Sequence, residues 1–139
     1  MKRTITTDSS YSDGQVTGLV LDIDGNGRKD VAFVRLHQAG KLAWYEAADP
    51  RTGPWTEHVV STNAGAHKLN IADMDGDGDL DFVAALEKVE VAVFYNQGGG
   101  TSWSAKQNLS SHGTHNARVG DIDNDGDMDI VGANYADTP

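Results

Sequence analysis

Three nine-residue segments of this chain carry carboxylates at one spacing: DIDGNGRKD from Asp22 to Asp30, DMDGDGDLD from Asp73 to Asp81, and DIDNDGDMD from Asp121 to Asp129. Their starts lie 51 and 48 residues apart. A period near 50 residues marks a repeat architecture, in which each copy is one supersecondary unit that buries its apolar face only against a neighbour. The similarity extends past the segments. GAHKLNIAD before Asp73 parallels GTHNARVGD before Asp121, which puts His67 and His115 at one position, where the first copy has Val16. Downstream, LAWYE (Leu42–Glu46) parallels VAVFYN (Val91–Asn96) when Tyr45 is aligned with Tyr95. That alignment sets Trp44 against Phe94, and Trp55 then parallels Trp103.

Between these punctuating segments the copies read as short strands. The first copy offers Val16–Leu21, Val31–Leu36, Leu42–Glu46 and Trp55–Ser61. The second offers Lys68–Ala72, Phe82–Leu86, Val89–Tyr95 and Trp103–Leu109. β-Branched and aromatic residues dominate them, Gly, Asn and Asp separate them, and no stretch sustains a helical period. Four strands per copy predict an all-β chain of β-propeller blades, each a four-stranded antiparallel sheet. The expected copies span about 14–62, 65–110 and 113–139 within one repeat domain over 1–139. The third copy has only an inner strand and IVGANY after Asp129, and Arg3–Thr7 within 1–8 reads as an extra outer strand. The total is about eleven strands, or two and three-quarter blades, whereas a closed propeller typically has four to eight. Either the chain is a piece of a longer protein or identical copies associate to complete the ring, and the sequence leaves both open.

The spacing within each segment fits a hard cation. Calcium takes six to eight oxygens, and side chains at positions 1, 3 and 5 of a tight loop can converge on one point. The expected ligands are Asp22, Asp24, Asn26, Arg28 and Asp30 in the first loop; Asp73, Asp75, Asp77, Asp79 and Asp81 in the second; and Asp121, Asp123, Asp125, Asp127 and Asp129 in the third. Position 7 (Arg28, Asp79, Asp127) offers its backbone carbonyl, which leaves its side chain free to vary. Glycine at Gly25, Gly27, Gly76, Gly78 and Gly126 lets the loop close. Asn124 replaces one such glycine, a change that Asn tolerates. Up to three Ca²⁺ per chain are expected. Without a cation the crowded carboxylates repel one another. An EF-hand is excluded, because position 12 holds Phe33, Ala84 and Gly132 in place of the bidentate Glu, and apolar strands follow each loop.

Composition narrows the function. The net charge is −10, yet thirteen of the 21 acidic residues are the Asp of these loops, and the other eight are fewer than the 11 basic residues. Acidity is therefore local, and no basic stripe suits nucleic acid. There is no cysteine, so a metal is the natural staple for a chain this small. No apolar run is long enough to span a membrane, and no leader-like stretch opens the sequence.

The pattern D-x-D-G-N/D-G-x-x-D followed by an apolar strand, over Asp22–Val34, Asp73–Ala85 and Asp121–Ala133, resembles the FG-GAP/VCBS repeat family of calcium-binding β-propellers, related to the integrin α-subunit head and certain fungal lectins. The resemblance covers nearly the whole chain, although the FG-GAP tetrapeptide itself is only echoed in GLVLD and VGD. It implies loops that brace neighbouring strands, an extracellular or cell-surface setting, and a lectin-like or adhesive role toward a glycan or an extracellular protein. A purely structural or self-assembling unit is the alternative, and a part in a polysaccharide-degrading enzyme comes third. His67, His115, Trp44 and Tyr135 are the candidate ligand contacts, with packing the competing role for Trp44 and for both histidines. No nucleophile elbow or phosphate-cradling glycine loop is present, and the Asp spacing is accounted for by ligation, so catalysis is not expected.

Overall fold

The computed structural model describes residues 4–5, 16–35, 40–86, 90–110 and 114–134, and all regular structure in them is β. In chain order the strands are β1 (Val16–Leu21), β2 (Asp30–Arg35), β3 (Leu42–Glu46), β4 (Thr56–Ser61), β5 (Lys68–Ala72), β6 (Asp81–Leu86), β7 (Glu90–Phe94), β8 (Gln107–Asn108), β9 (Thr114–Gly120) and β10 (Asp129–Asn134). They form two four-stranded sheets, β1-β2-β3-β4 and β5-β6-β7-β8, and a two-stranded sheet of β9 and β10. Each sheet is an antiparallel meander, the form of a propeller blade. Each Asp-rich segment joins the first strand of its sheet to the second.

The period of 2 in a strand explains how the blades stack. One face of the second blade presents Phe82, Ala84, Leu86, Ala92 and Phe94 to Ala32, Val34, Leu42 and Trp44 of the first. The opposite face presents Val83, Ala85, Val91 and Val93 to Ala117, Val119 and Ile130 of the third. Both faces of β6 and β7 are therefore covered, and both strands are buried throughout. This is why they read as continuous apolar runs. β2 has one face on the second blade, and its burial alternates between buried and half-buried residues. On the inner strands, Asn70 Nδ2 donates to the Ala117 carbonyl at 2.9 Å and ties β5 to β9.

The first interface turns on Trp44. Its side chain is 0 % exposed, stacks on His58 with ring centroids 4.2 Å apart, and donates from Nε1 to the Gly100 carbonyl at 2.9 Å. Trp103 Nε1 donates to that same carbonyl at 2.8 Å while its ring stacks on Phe82. One carbonyl of the second blade thus anchors an indole from each blade. Gly100 itself has φ +69°, and a Cβ there would lie 2.7 Å from Trp44 Cζ2.

Two expectations are corrected, and a third lies outside the described residues. Val31 pairs with Tyr45, and Phe82 with Phe94. Tyr45 therefore corresponds to Phe94, and Trp44 to Val93, one residue away from the match on tyrosines. The segments joining β2 to β3 and β6 to β7 differ in length, so cross-strand pairing sets the register. The fourth strand of the second blade, expected over Trp103–Leu109, shrinks to β8 and an isolated Asn96–Trp103 bridge. Side chains replace ladder carbonyls on either side of β8: Ser104 Oγ accepts from the Tyr95 amide at 2.9 Å and Ser110 Oγ from the Val91 amide at 3.2 Å. Of Arg3–Thr7 only residues 4 and 5 are described, and neither is in a strand, so the eleventh strand lies outside the described residues.

Gly100→Ala is expected to lower unfolding stability by about 2 kcal/mol or more, because it adds left-handed strain to a clash with a buried indole. Urea denaturation followed by tryptophan fluorescence measures it.

Candidate metal centres

In all three loops backbone amides fold the carboxylates inward. The position-1 carboxylate accepts from the position-6 amide: Asp22 from Gly27 at 2.7 Å, Asp73 from Gly78 at 2.9 Å, Asp121 from Gly126 at 3.1 Å. The position-3 side chains accept from the amide two residues on, Asp24 from Asn26, Asp75 from Asp77 and Asp123 from Asp125. The turns require left-handed backbone at positions 4 and 6. The φ values are +75° and +84° at Gly25 and Gly27, +77° and +94° at Gly76 and Gly78, and +61° and +99° at Asn124 and Gly126. A Cβ on any of these glycines would meet nothing within 4 Å. The constraint is therefore dihedral angle and not space, and Asn124 takes its place as expected.

Position 9 has a second task that the ligand pattern did not show. Asp30 Oδ2 accepts from the Ile23 amide at 2.8 Å, Asp81 Oδ2 from Met74 at 2.7 Å, and Asp129 Oδ2 from Ile122 at 2.9 Å. Each carboxylate is the first residue of β2, β6 or β10 and latches the loop to the strand it enters. In the second blade Asp81 Oδ1 also accepts from the Asn96 amide at 2.8 Å. Asn96 Oδ1 in turn accepts from the Gly98 and Gly100 amides. Sequence reasoning missed Asn96; the Gly98-Gly99-Gly100 run that follows it was the available signal.

The geometry gathers positions 1, 3 and 9. In the sets Asp22, Asp24, Asp30; Asp73, Asp75, Asp81; and Asp121, Asp123, Asp129, one carboxylate oxygen from each residue lies within 4.8 Å of the other two. The carboxylates of Asp77 and Asp125 at position 5 and of Asp79 and Asp127 at position 7 stand outside these sets. The position-5 oxygens accept from the position-7 amides at 2.8–2.9 Å. Two further observations bear on a cation. Asp22 Oδ1 is buried and has no hydrogen-bond partner among the described residues, an orphaned acceptor that a cation would satisfy. Burial, followed by the neighbouring acidic charges, pushes the Asp30 and Asp81 carboxyls above their ordinary value, against the pull of the backbone amides that lowers it.

The remaining candidates divide. His67 and His115 meet across adjacent blades with ring centroids 4.4 Å apart. Trp44 is buried in the blade interface, so it is a packing residue and not a surface platform. Tyr135 lies outside the described residues. Among the described residues no helix is long and apolar enough to cross a membrane.

Stacked antiparallel blades with a carboxylate cluster at each inner hairpin define an all-β propeller repeat with loops suited to metal. Residues 22–84 and 82–132 match the FG-GAP-like repeat, and the chain belongs to that family. No curated protein matches it.

A raised native pKa means that the folded chain keeps protons the unfolded chain has released. The stability from Asp30 and Asp81 in metal-free protein is therefore complete below the ordinary carboxyl value of 3.8 and is lost as pH rises through the higher folded values. Asp81→Asn is expected to flatten this part of the profile. It should also cost about 1–3 kcal/mol, since one amide oxygen cannot serve both buried N–H donors. Urea midpoints of both proteins in chelator-treated buffer between pH 4 and pH 7 check the sign.

Proposed function

We propose that the chain is a calcium-braced propeller module in which each Asp-rich loop binds one Ca²⁺ that stiffens the hairpin between inner and second strand. The observation that carries this reading is the threefold recurrence of the position-1, 3 and 9 cluster, together with the orphaned Asp22 Oδ1. Asp22, Asp24 and Asp30, with their counterparts in the other two loops, supply carboxylate oxygens. Asn26, Asp77 and Asp125, and the carbonyls of Arg28, Asp79 and Asp127, complete the shell. All of these are hard oxygen donors, which suit calcium better than the small octahedral shell of magnesium. The loops are largely solvent-exposed, which fits the weak sites of extracellular modules that work at about 10⁻⁴–10⁻³ M calcium. Outside the cell such a module serves recognition, of a glycan or of another extracellular protein.

One observation favours assembly as a second reading. The outward face of the first blade leaves Val20 69 % and Val59 48 % exposed. On the same face Phe33 is half-buried and Tyr45 buried, at the positions of Ala84 and Phe94 in the second blade. Another blade, from a longer chain or from a second copy, would cover the exposed Val20 and Val59.

Millimolar calcium is expected to raise the thermal midpoint by about 5 °C or more over the EDTA-treated chain, since each site filled at ten times its Kd contributes about 1.4 kcal/mol. Asp22→Asn and Asp73→Asn should each remove one site in calorimetric titration. An unchanged midpoint on calcium addition would sink the metal reading. Glycan-array binding that vanishes with EDTA supports recognition, whereas a solution mass that is a multiple of 14.8 kDa supports assembly.

A further inference from the structure

His67 and His115 occupy one position of the repeat, six residues before Asp73 and Asp121. The first copy has Val16 there, so among the described blades only the second and third bring two imidazoles together. Their ring centroids lie 4.4 Å apart and their planes are tilted by 44°. Those six residues of inner strand, roughly 20 Å when extended, separate the pair from the Asp clusters. The two places also differ in chemistry, with hard carboxylate oxygen at the loops and imidazole nitrogen here.

The backbone directs both rings. At the root of β5 the His67 amide donates to the Ala85 carbonyl at 2.9 Å. On β9, Thr114 pairs with Asn134 and Asn116 with Ala133, which makes His115 the additional residue of a bulge. A bulge re-aims a side chain out of the alternation of its strand, and here the ring meets the neighbouring blade. The bond from Asn70 Nδ2 to the Ala117 carbonyl fixes the separation of β5 and β9, three residues beyond His67 and two beyond His115. His67 is half-buried and His115 exposed.

The spacing selects a coordination geometry. A metal–nitrogen bond of about 2.0–2.1 Å puts an ion ~3.2 Å from the centre of an imidazole that binds it. Two such rings have centroids ~4.5 Å apart at a nitrogen–metal–nitrogen angle of ~90°, and ~5.2 Å apart at a tetrahedral one. The observed 4.4 Å matches the right angle, which belongs to tetragonal copper(II) or nickel(II) and not to tetrahedral zinc. An imidazole ligates through one nitrogen and keeps the other for a hydrogen bond, so ligation is compatible with further partners of either ring. The chain has no cysteine, so no thiolate competes for the ion.

We propose that His67 and His115 form a copper(II) site that bridges the second and third blades, with no Asp of the loops among its ligands. Copper(II) stands highest among the divalent first-row metals in affinity for such nitrogen ligands. An ion held by both blades at once favours the stacked blades over the unfolded chain, so it staples their interface.

The probe is Cu²⁺ at equimolar ratio to the full chain in a non-coordinating buffer, followed by electron paramagnetic resonance and by calorimetric titration. A tetragonal spectrum with hyperfine structure from two imidazole nitrogens is expected, with one ion per chain. His67→Gln and His115→Gln should each weaken the affinity for Cu²⁺ at least tenfold while leaving circular dichroism unchanged. Asp73→Asn should leave the two-nitrogen signal intact, which decides the copper site independently of calcium at the loops. Copper should raise the thermal midpoint of the parent chain and not that of His115→Gln. Three results would overturn the proposal: a spectrum from oxygen ligands only, a two-nitrogen signal that persists in both histidine variants, or a thermal midpoint that copper leaves unchanged. The first would make the pair a packing contact, the second would put copper on other residues, and the third would remove the staple.

Discussion

A carboxylate at the root of each loop holds the architecture together. Asp30, Asp81 and Asp129 begin the second strand of their blades, and each accepts the amide of the residue that follows the position-1 Asp. The bond closes a seven-residue excursion that would otherwise carry three to five like charges on a flexible hairpin. Burying such a group is unfavourable and pushes the Asp30 and Asp81 carboxyls up. The charge is tolerated because it is hydrogen-bonded and because the neighbouring carboxylates converge where a cation can lie among them.

The second blade extends this latch into the packing. Asp81 holds the Asn96 amide, Asn96 holds the amide of Gly100, and the Gly100 carbonyl holds the indoles of Trp44 and Trp103. A continuous hydrogen-bonded path therefore runs from the second Asp-rich loop to the buried face of the first blade. Ala47 stands where the first blade would need an Asn for the same path, so the coupling belongs to the second blade among the described residues. The carboxylate cluster of that loop and the packing at that interface are two ends of one network, and buried networks of this kind are stabilising only when every member is satisfied.

Much of this was legible from the residues. The Asp spacing located all three hairpins, and its Gly and Asn positions are where the backbone turns left-handed. Strands β1, β3 and β5 have the bounds read from their β-branched and apolar runs. Legibility failed where structure depends on partners distant in sequence. Matching Tyr45 to Tyr95 slipped the register by one residue, because pairing with β2 and β6 decides it. β8 shortened because Ser104 and Ser110 take backbone partners with their hydroxyls, a choice that local propensity cannot show. Trp44 reads first as a core residue and second as a sugar platform, and only the Gly100 carbonyl and His58, distant in sequence, show what encloses it. The latch at position 9 was hidden because one residue type, Asp, serves both ligation and hydrogen bonding.

The uneven burial of the blades follows from stacking order alone. β6 and β7 are covered on both faces, whereas β2 has one covered face and β10 keeps Val131 and Ala133 exposed. These exposed positions are not random surface. Val131 and Ala133 correspond to Val83 and Ala85, which the second blade buries against the third, and the half-buried Phe33 of the first blade corresponds to Ala84, which the second buries against the first. Each outward face therefore carries residues of the kind that its repeat uses for a blade contact, while the loops beside it carry their own carboxylate clusters. The carboxylate clusters are local to one hairpin each, whereas the apolar faces are satisfied only by neighbours. That separation allows a blade stack to be extended one unit at a time.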